Sequence, residues 1–275
     1  MDRFLGRVIL LAAIGILSSG LVASAQVIDN GTFENWGTLT GSPPAGVPSN
    51  WSFTGTVNPV QTAGLVSGSN YAALIQPGGQ IYQTISPNPT NLKLDLTFAA
   101  TNPGLTTSRS FNITIGEPGA NPSLNFRMVA GSVAGALSLQ VHNGSSWSTL
   151  AANAFQASVY DSASNTFTTL NAYDLSLELN YGTTSSYSLS YGLHGGTMTL
   201  LSNLTTFTAA NANGMSTIGI VGSSSASPFA VDNLTLTVIP EPGRTAYLMW
   251  GAVLLVSISY WGRRTSAARV VSTRL

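Results

Sequence analysis

From Leu92 the chain reads Leu, Lys, Leu, Asp, Leu, Thr, Phe, with an apolar residue at every second position and a polar one between. The same period returns at Phe111, Ile113 and Ile115, at Leu175, Leu177 and Leu179, and at Leu234, Leu236 and Val238. A strand turns successive side chains to opposite faces, so this pattern makes half-buried strands; on a helix it would scatter the apolar residues around the circumference. Turn formers punctuate the runs: Gly41-Ser42-Pro43-Pro44, Pro77-Gly78-Gly79, Pro87-Asn88-Pro89, Asn102-Pro103-Gly104 and Glu117-Pro118-Gly119. No long stretch of 26–238 has a helical period. The body is therefore predicted to be all-β, with about 12–15 strands in a jelly-roll type two-sheet β-sandwich. The small-residue run from Ala130 to Ala136 reads as a turn and does not mark a domain boundary.

Both ends depart from this pattern. Arg3 and Arg7 lead into an apolar run over 8–17, and Ala23-Ser24-Ala25 follows. A basic start, a short apolar stretch and small residues at the −3 and −1 positions describe a secretory signal, 1–25, cleaved before Gln26. At the other end Pro240-Glu241-Pro242 precedes an apolar segment over 245–261, then Arg263 and Arg264 and a basic tail, 263–275. The segment is near the shortest length that spans a bilayer as one transmembrane helix. Tyr247, Trp250, Tyr260 and Trp261 lie towards its ends, where amphipathic rings prefer the interface. Arg263 and Arg264 orient it with the tail inside and the body outside.

The order of Pro-Glu-Pro, apolar helix and arginine cluster over 239–275 resembles the PEP-CTERM sorting domain of exported bacterial proteins. That resemblance implies an exosortase as partner, a membrane cysteine protease-transpeptidase that processes the chain near Pro240-Glu241-Pro242, with membrane lipid around the helix. The protein is then a substrate of that machinery, destined for the cell surface or extracellular matrix.

Composition narrows the function. Between Gln26 and Pro240 there are eight acids and three bases, Lys93, Arg109 and Arg127. Such a body cannot neutralise a phosphate backbone, which excludes nucleic-acid binding. The chain has no cysteine, which excludes thiolate zinc sites, iron–sulfur clusters and thiol nucleophiles.

Asn30-Gly31-Thr32-Phe33-Glu34-Asn35-Trp36, then Trp51, Gly79-Gln80-Ile81-Tyr82-Gln83 and a closing Val231-Asp232-Asn233-Leu234 resemble the galactose-binding-like jelly rolls that include many carbohydrate-binding modules. The longer middle, 123–227, looks nearer to lectin-like sandwiches of the concanavalin type. The first resemblance implies a structural Ca²⁺ held by Glu34 and Asp232, with Asp29 a weaker candidate, since a hard cation takes several oxygens. It also implies a bound polysaccharide. Trp36, Trp51, Tyr71, Tyr82, Trp147, Tyr187 and Tyr191 are the rings that stack on sugars or pack the core, and Trp36 and Trp51 are the glycan candidates.

Asp174-Leu175-Ser176-Leu177-Glu178 resembles the E-x-D-x-E strand of a jelly-roll glycosidase family, with Asp for the first Glu and Ser for the middle Asp. An extended strand sets the two carboxylates about 13 Å apart, and retaining chemistry needs about 5–5.5 Å. The ordinary reading is a polar outer face, and no catalytic residue is assigned. His142 and His194, each before a Gly-containing turn, read as solvated turn residues. The expectation is a non-enzymatic exported surface protein, with a carbohydrate-binding module as the alternative and a glycoside hydrolase as the third. Deleting 239–275 is expected to release the protein unprocessed into the medium, checked by cell fractionation and intact mass.

Overall fold

The computed structural model describes residues 28–38, 46–61, 65, 70–85, 91–101, 111–115, 124–142, 146–180, 186–204, 217–223 and 228–239. The segments assigned to the signal, 1–25, and to the sorting domain, 240–275, lie outside the described residues. Among the described residues no helix is long and apolar enough to cross a membrane.

The alternating runs are the strands. A first sheet of seven has the spatial order β1 (Ser52–Thr54), β4 (Gln80–Thr84), β15 (Thr217–Gly222), β6 (Phe111–Ile115), β7 (Leu124–Ala130), β8 (Ala136–His142) and β9 (Trp147–Gln156). A second sheet of seven runs β14 (Thr199–Leu204), β13 (Ser186–Leu193), β12 (Tyr173–Asn180), β5 (Asn91–Ala100), β16 (Phe229–Val238), β3 (Tyr71–Ile75) and β2 (Val57–Gln61). A hairpin of β10 (Val159–Asp161) and β11 (Thr166–Thr169) stands apart. The chain passes repeatedly between the sheets, and strands distant in sequence become neighbours, as in a jelly roll. The described residues hold 16 strands rather than 12–15. The excess comes from short pieces, β1, β10 and β11, too brief to show an alternation. The small-residue run after Val129 is the turn of the β7–β8 hairpin, with Gly135 at φ 76°.

β5 shows how period two becomes a core. Its Leu92, Leu94, Leu96 and Phe98 lie opposite Leu179, Leu177, Leu175 and Tyr173 of β12. All eight are buried, facing Ile113, Ile115, Phe126, Leu139 and Ile220 of the first sheet. Aromatic rings lock the layers together. Phe98 of the second sheet meets Phe155 of the first at 5.6 Å between centroids, and Phe126 meets Tyr187 edge-on at 5.6 Å. Phe155 also packs against Tyr173 at 5.0 Å and Tyr191 at 5.1 Å. Tyr173 keeps its hydroxyl satisfied by accepting the Gln156 N–H at 2.7 Å.

Alternation fails where both faces are covered. Ala72, Leu74, Ala99 and Ala230 on the outer face of the second sheet are buried with Val60 and Leu65, and Tyr160 and Phe167 of the β10–β11 hairpin pack against them. Asn165 holds the hairpin down, accepting the Tyr160 hydroxyl at 2.7 Å and donating to the Pro59 carbonyl at 3.1 Å. At the end of this sheet β2 carries Pro59, which has no N–H to donate. At the end of the first sheet β9 shifts register twice against β8.

The Asn30-Gly31 segment docks on a bulge in β16 between Asp232 and Thr235. Leu234, freed from the ladder, donates its N–H to the Gly31 carbonyl at 2.8 Å. A Cβ on Gly31 would lie 1.7 Å from the Leu234 carbonyl oxygen, so only glycine fits there. Truncating Phe98 to Ala removes a ring from the junction of both sheets and is expected to lower stability by about 3–5 kcal/mol, read from urea unfolding.

Candidate functional site

The two tryptophans nominated for sugar binding both pack against the core. Trp51 is only 5% exposed and packs against the buried ring of Phe33 at 5.4 Å. Its Nε1 donates to the Asn30 carbonyl at 3.3 Å. Trp36 is half-buried against the same core, and its Nε1 donates to the Phe33 carbonyl. Both rings anchor the loop that precedes the first strand. Tyr187 and Tyr191 likewise face the core.

The carboxylates assigned to calcium are dispersed in role. Glu34 Oε1 accepts the backbone N–H groups of Asn70 at 2.8 Å and Tyr71 at 3.1 Å, and Oε2 accepts Asn70 Nδ2 at 3.4 Å. These bonds tie Glu34 to the start of β3. Asp29 is exposed, and Gln83 clamps its backbone through 2.9 and 3.2 Å bonds. Asp232 is fully buried, and its Oδ1 accepts the Asn233 N–H at 2.7 Å. Among the described residues no three acids or histidines form a group able to hold a metal ion.

Asp174 and Glu178 point outward from β12, alternating with Leu175, Leu177 and Leu179. Their surroundings differ. Glu178 is exposed beside a shallow hollow that Asn91, Ser186, Ser188, Ser202 and Ile239 also line. Asp174 is half-buried; its Oδ1 takes bonds from Thr97 Oγ1 at 2.7 Å and His194 Nδ1 at 2.8 Å, and its Oδ2 takes the Gly195 N–H at 3.3 Å. His194 is thus a partner of Asp174 and not the lone solvated residue expected from its turn. Burial alone would push the Asp174 carboxyl up, but the bonds from His194, Thr97 and Gly195 outweigh it and hold the group below its ordinary value.

The outer face of the first sheet gathers groups of a different kind. One rung crosses all seven strands through register partners: Thr54, Gln80, Val221, Asn112, Arg127, Gln140 and Thr149. Beside it run Tyr82, Gly219, Thr114 and Asn125, with His142 opposite Trp147 at the far end. From Gln80 to Gln140 every member of the first rung is half-buried, as are Tyr82, Asn125, His142 and Trp147. Polar groups and rings therefore shelter one another here, with no apolar layer above them among the described residues. Gly219 leaves the floor low between Tyr82 and Thr114, and Thr114 Oγ1 donates to its carbonyl at 3.2 Å.

Arg127 sits at the centre of the richer end. Its Nε donates to Gln140 Oε1 at 2.8 Å, and Gln140 Nε2 reaches Thr149 Oγ1 at 3.3 Å. The guanidinium carbon lies 4.0 Å from the centroid of Trp147, and His142 meets that ring edge-on at 5.0 Å. Burial pulls the Arg127 pKa down, yet a guanidinium stays charged in a protein. The ion pairs among the described residues are Lys93 with Asp95 at 3.1 Å and Asp174 with His194. Arg127 therefore has no acidic partner among the described residues. Planar donors, amides and an indole on one open sheet face make a surface suited to hydroxyl-rich rings.

Sequence reading named Tyr82 and Trp147 among the rings but singled out neither, and it treated Arg127 as a count of charge and His142 as a turn residue. The available signal was the polar phase of three successive strands: Asn125 and Arg127, Gln140 and His142, Trp147 and Thr149.

The chain matches no known family and no curated protein. Solved structures similar to it include a PL-14 alginate lyase from Aplysia kurodai, at 11% identity over 70% of this chain and 91% of that one, with a TM-score of 0.45. A carbohydrate esterase, vb_24B_21, from Shiga toxin-encoding bacteriophage phi24B has 13% identity, the same coverages and a TM-score of 0.45. The exoplasmic domain of VIP36 has 12% identity over 80% of this chain and 95% of that one, with a TM-score of 0.39. None of these likenesses bears on what this chain binds.

Because the folded Asp174 has a lowered pKa, the stability it adds is complete above the ordinary value of 3.8 and is lost as pH falls through the lower folded value. Asp174→Asn is expected to lose less stability than the wild type between about pH 5 and pH 2, measured by thermal unfolding; parallel acid limbs would remove Asp174 from the account.

Proposed function

We propose that this is an exported, non-enzymatic surface protein whose sandwich binds an extracellular polysaccharide across the outer face of its first sheet. The observation that carries the reading is the cluster of Arg127, Gln140 and Trp147 at one end of an uncapped polar rung. Sugar rings offer apolar faces and a rim of hydroxyls. Binding them takes aromatic edges, amides that donate and accept, and a surface long enough for several residues of a polymer. The rung and its neighbours supply amides, hydroxyls and rings on six of the seven strands, β15 contributing only Val221 and Gly219, and strands spaced about 4.8 Å apart present them at intervals comparable to a saccharide unit.

Delivery belongs to the ends of the chain. The signal at 1–25 directs export, and the segment 239–275, similar to PEP-CTERM domains, holds the protein in lipid until an exosortase acts near Pro240-Glu241-Pro242. The body then resides on the cell surface or in the extracellular matrix, where a polysaccharide partner is at hand. A hydrolytic role finds no support in Asp174 and Glu178, since the first is bound by Thr97 and His194 while the second is exposed four residues away.

Affinity electrophoresis of the detergent-solubilised full-length protein through gels of neutral and acidic polysaccharides is expected to show retardation. Trp147→Ala should weaken it about tenfold, the loss of one ring contact and of the platform under Arg127. Unretarded migration through every gel would overturn the binding reading.

A further inference from the structure

We propose that the polysaccharide is a carboxylated one, with Arg127 pairing to the carboxylate of a uronic acid residue. The inference rests on the binding reading above and adds the substrate class. Three features of the cluster point to it. First, Arg127 is half-buried and has no acidic partner among the described residues, although the body holds eight acids to three bases. A partly desolvated guanidinium without a counter-charge is an unusual feature in an acidic domain, and it gains most from an anion brought by a ligand.

Second, its orientation is set. Gln140 Oε1 holds Nε at 2.8 Å, and the guanidinium carbon sits over the indole of Trp147, 4.0 Å from its centroid. None of the hydrogen bonds described involves the two terminal nitrogens, which remain as a planar fork. A fork of that shape matches the two oxygens of a carboxylate. A lysine would present only a point charge.

Third, the flanking groups are neutral and of the type that hydroxyls use. Asn112 and Gln140 are the register partners of Arg127 on either side, and Thr149 follows Gln140. The acidic body as a whole repels a polyanion, so attraction must come from this one site. Binding is then selective for a carboxylate presented beside a sugar ring.

The test uses the full-length protein in detergent with two probes, polygalacturonate and alginate, each alongside its carboxyl-reduced counterpart. The wild type is expected to bind a native polymer about tenfold more tightly than its reduced form, the worth of one charge-assisted pair. Arg127→Met should abolish that preference, Arg127→Lys should keep part of it, and Lys93→Met should leave it intact. Circular dichroism checks that each variant is folded, and the wild-type comparison stands without any variant. Equal binding to native and reduced polymers would overturn the carboxylate inference while leaving polysaccharide binding in place. A preference that survives in folded Arg127→Met would overturn the assignment to Arg127. Absence of binding to all four polymers, with none in the neutral gels above, would bring down both readings.

Discussion

Two aromatic contacts across the sandwich fix which way four of its strands face. Phe98 against Phe155 and Phe126 against Tyr187 reach from one sheet to the other, and they are satisfied only when β5, β7, β9 and β13 turn those residues inward. Side chains alternate strictly along a strand, so each inward ring fixes an outward neighbour. Phe126 inward puts Arg127 outward; Leu139 and Val141 inward put Gln140 outward. The polar rung is thus a by-product of core packing. A slip of one residue in β7 would bury the guanidinium and expose Phe126, a double penalty that keeps the face in place.

The two outer faces have different fates. On the second sheet, Tyr160 and Phe167 of the β10–β11 hairpin close over Ala72, Leu74 and Ala230. Further along that face Thr97 and His194 both bond to Asp174. Those three polar groups are occupied by the protein itself. On the first sheet, Arg127 has spent one N–H on Gln140 and keeps the rest of its fork. A face whose strongest group is oriented but not neutralised is the better place for a ligand.

Much of the architecture was legible in the sequence. The leucines of β5 and β12 announced their strands through period two, and they lie opposite one another in the core. Pattern alone was blind to pairing at a distance. Nothing local says that Asn112 will neighbour Val221, more than a hundred residues away, or that Trp51 will be drawn inward by Phe33. The sequence does not reveal that Trp51 is buried or that Trp36 packs against the same core. His194 was misjudged for the same reason: its partner lies on another strand, brought within 2.8 Å by the β12–β13 pairing. Single residues on polar phases become a site only once the register is known.

The margins of the sandwich have a consequence for crowding. The last strand of the second sheet, β2, offers Pro59 where a neighbour would seek a donor. The last strand of the first sheet, β9, is long but twice out of step with its inner neighbour, so its rim is not a straight template. Molecules packed densely against each other then lack an easy way to zip these two rims, β2 and β9, into a continuous ribbon.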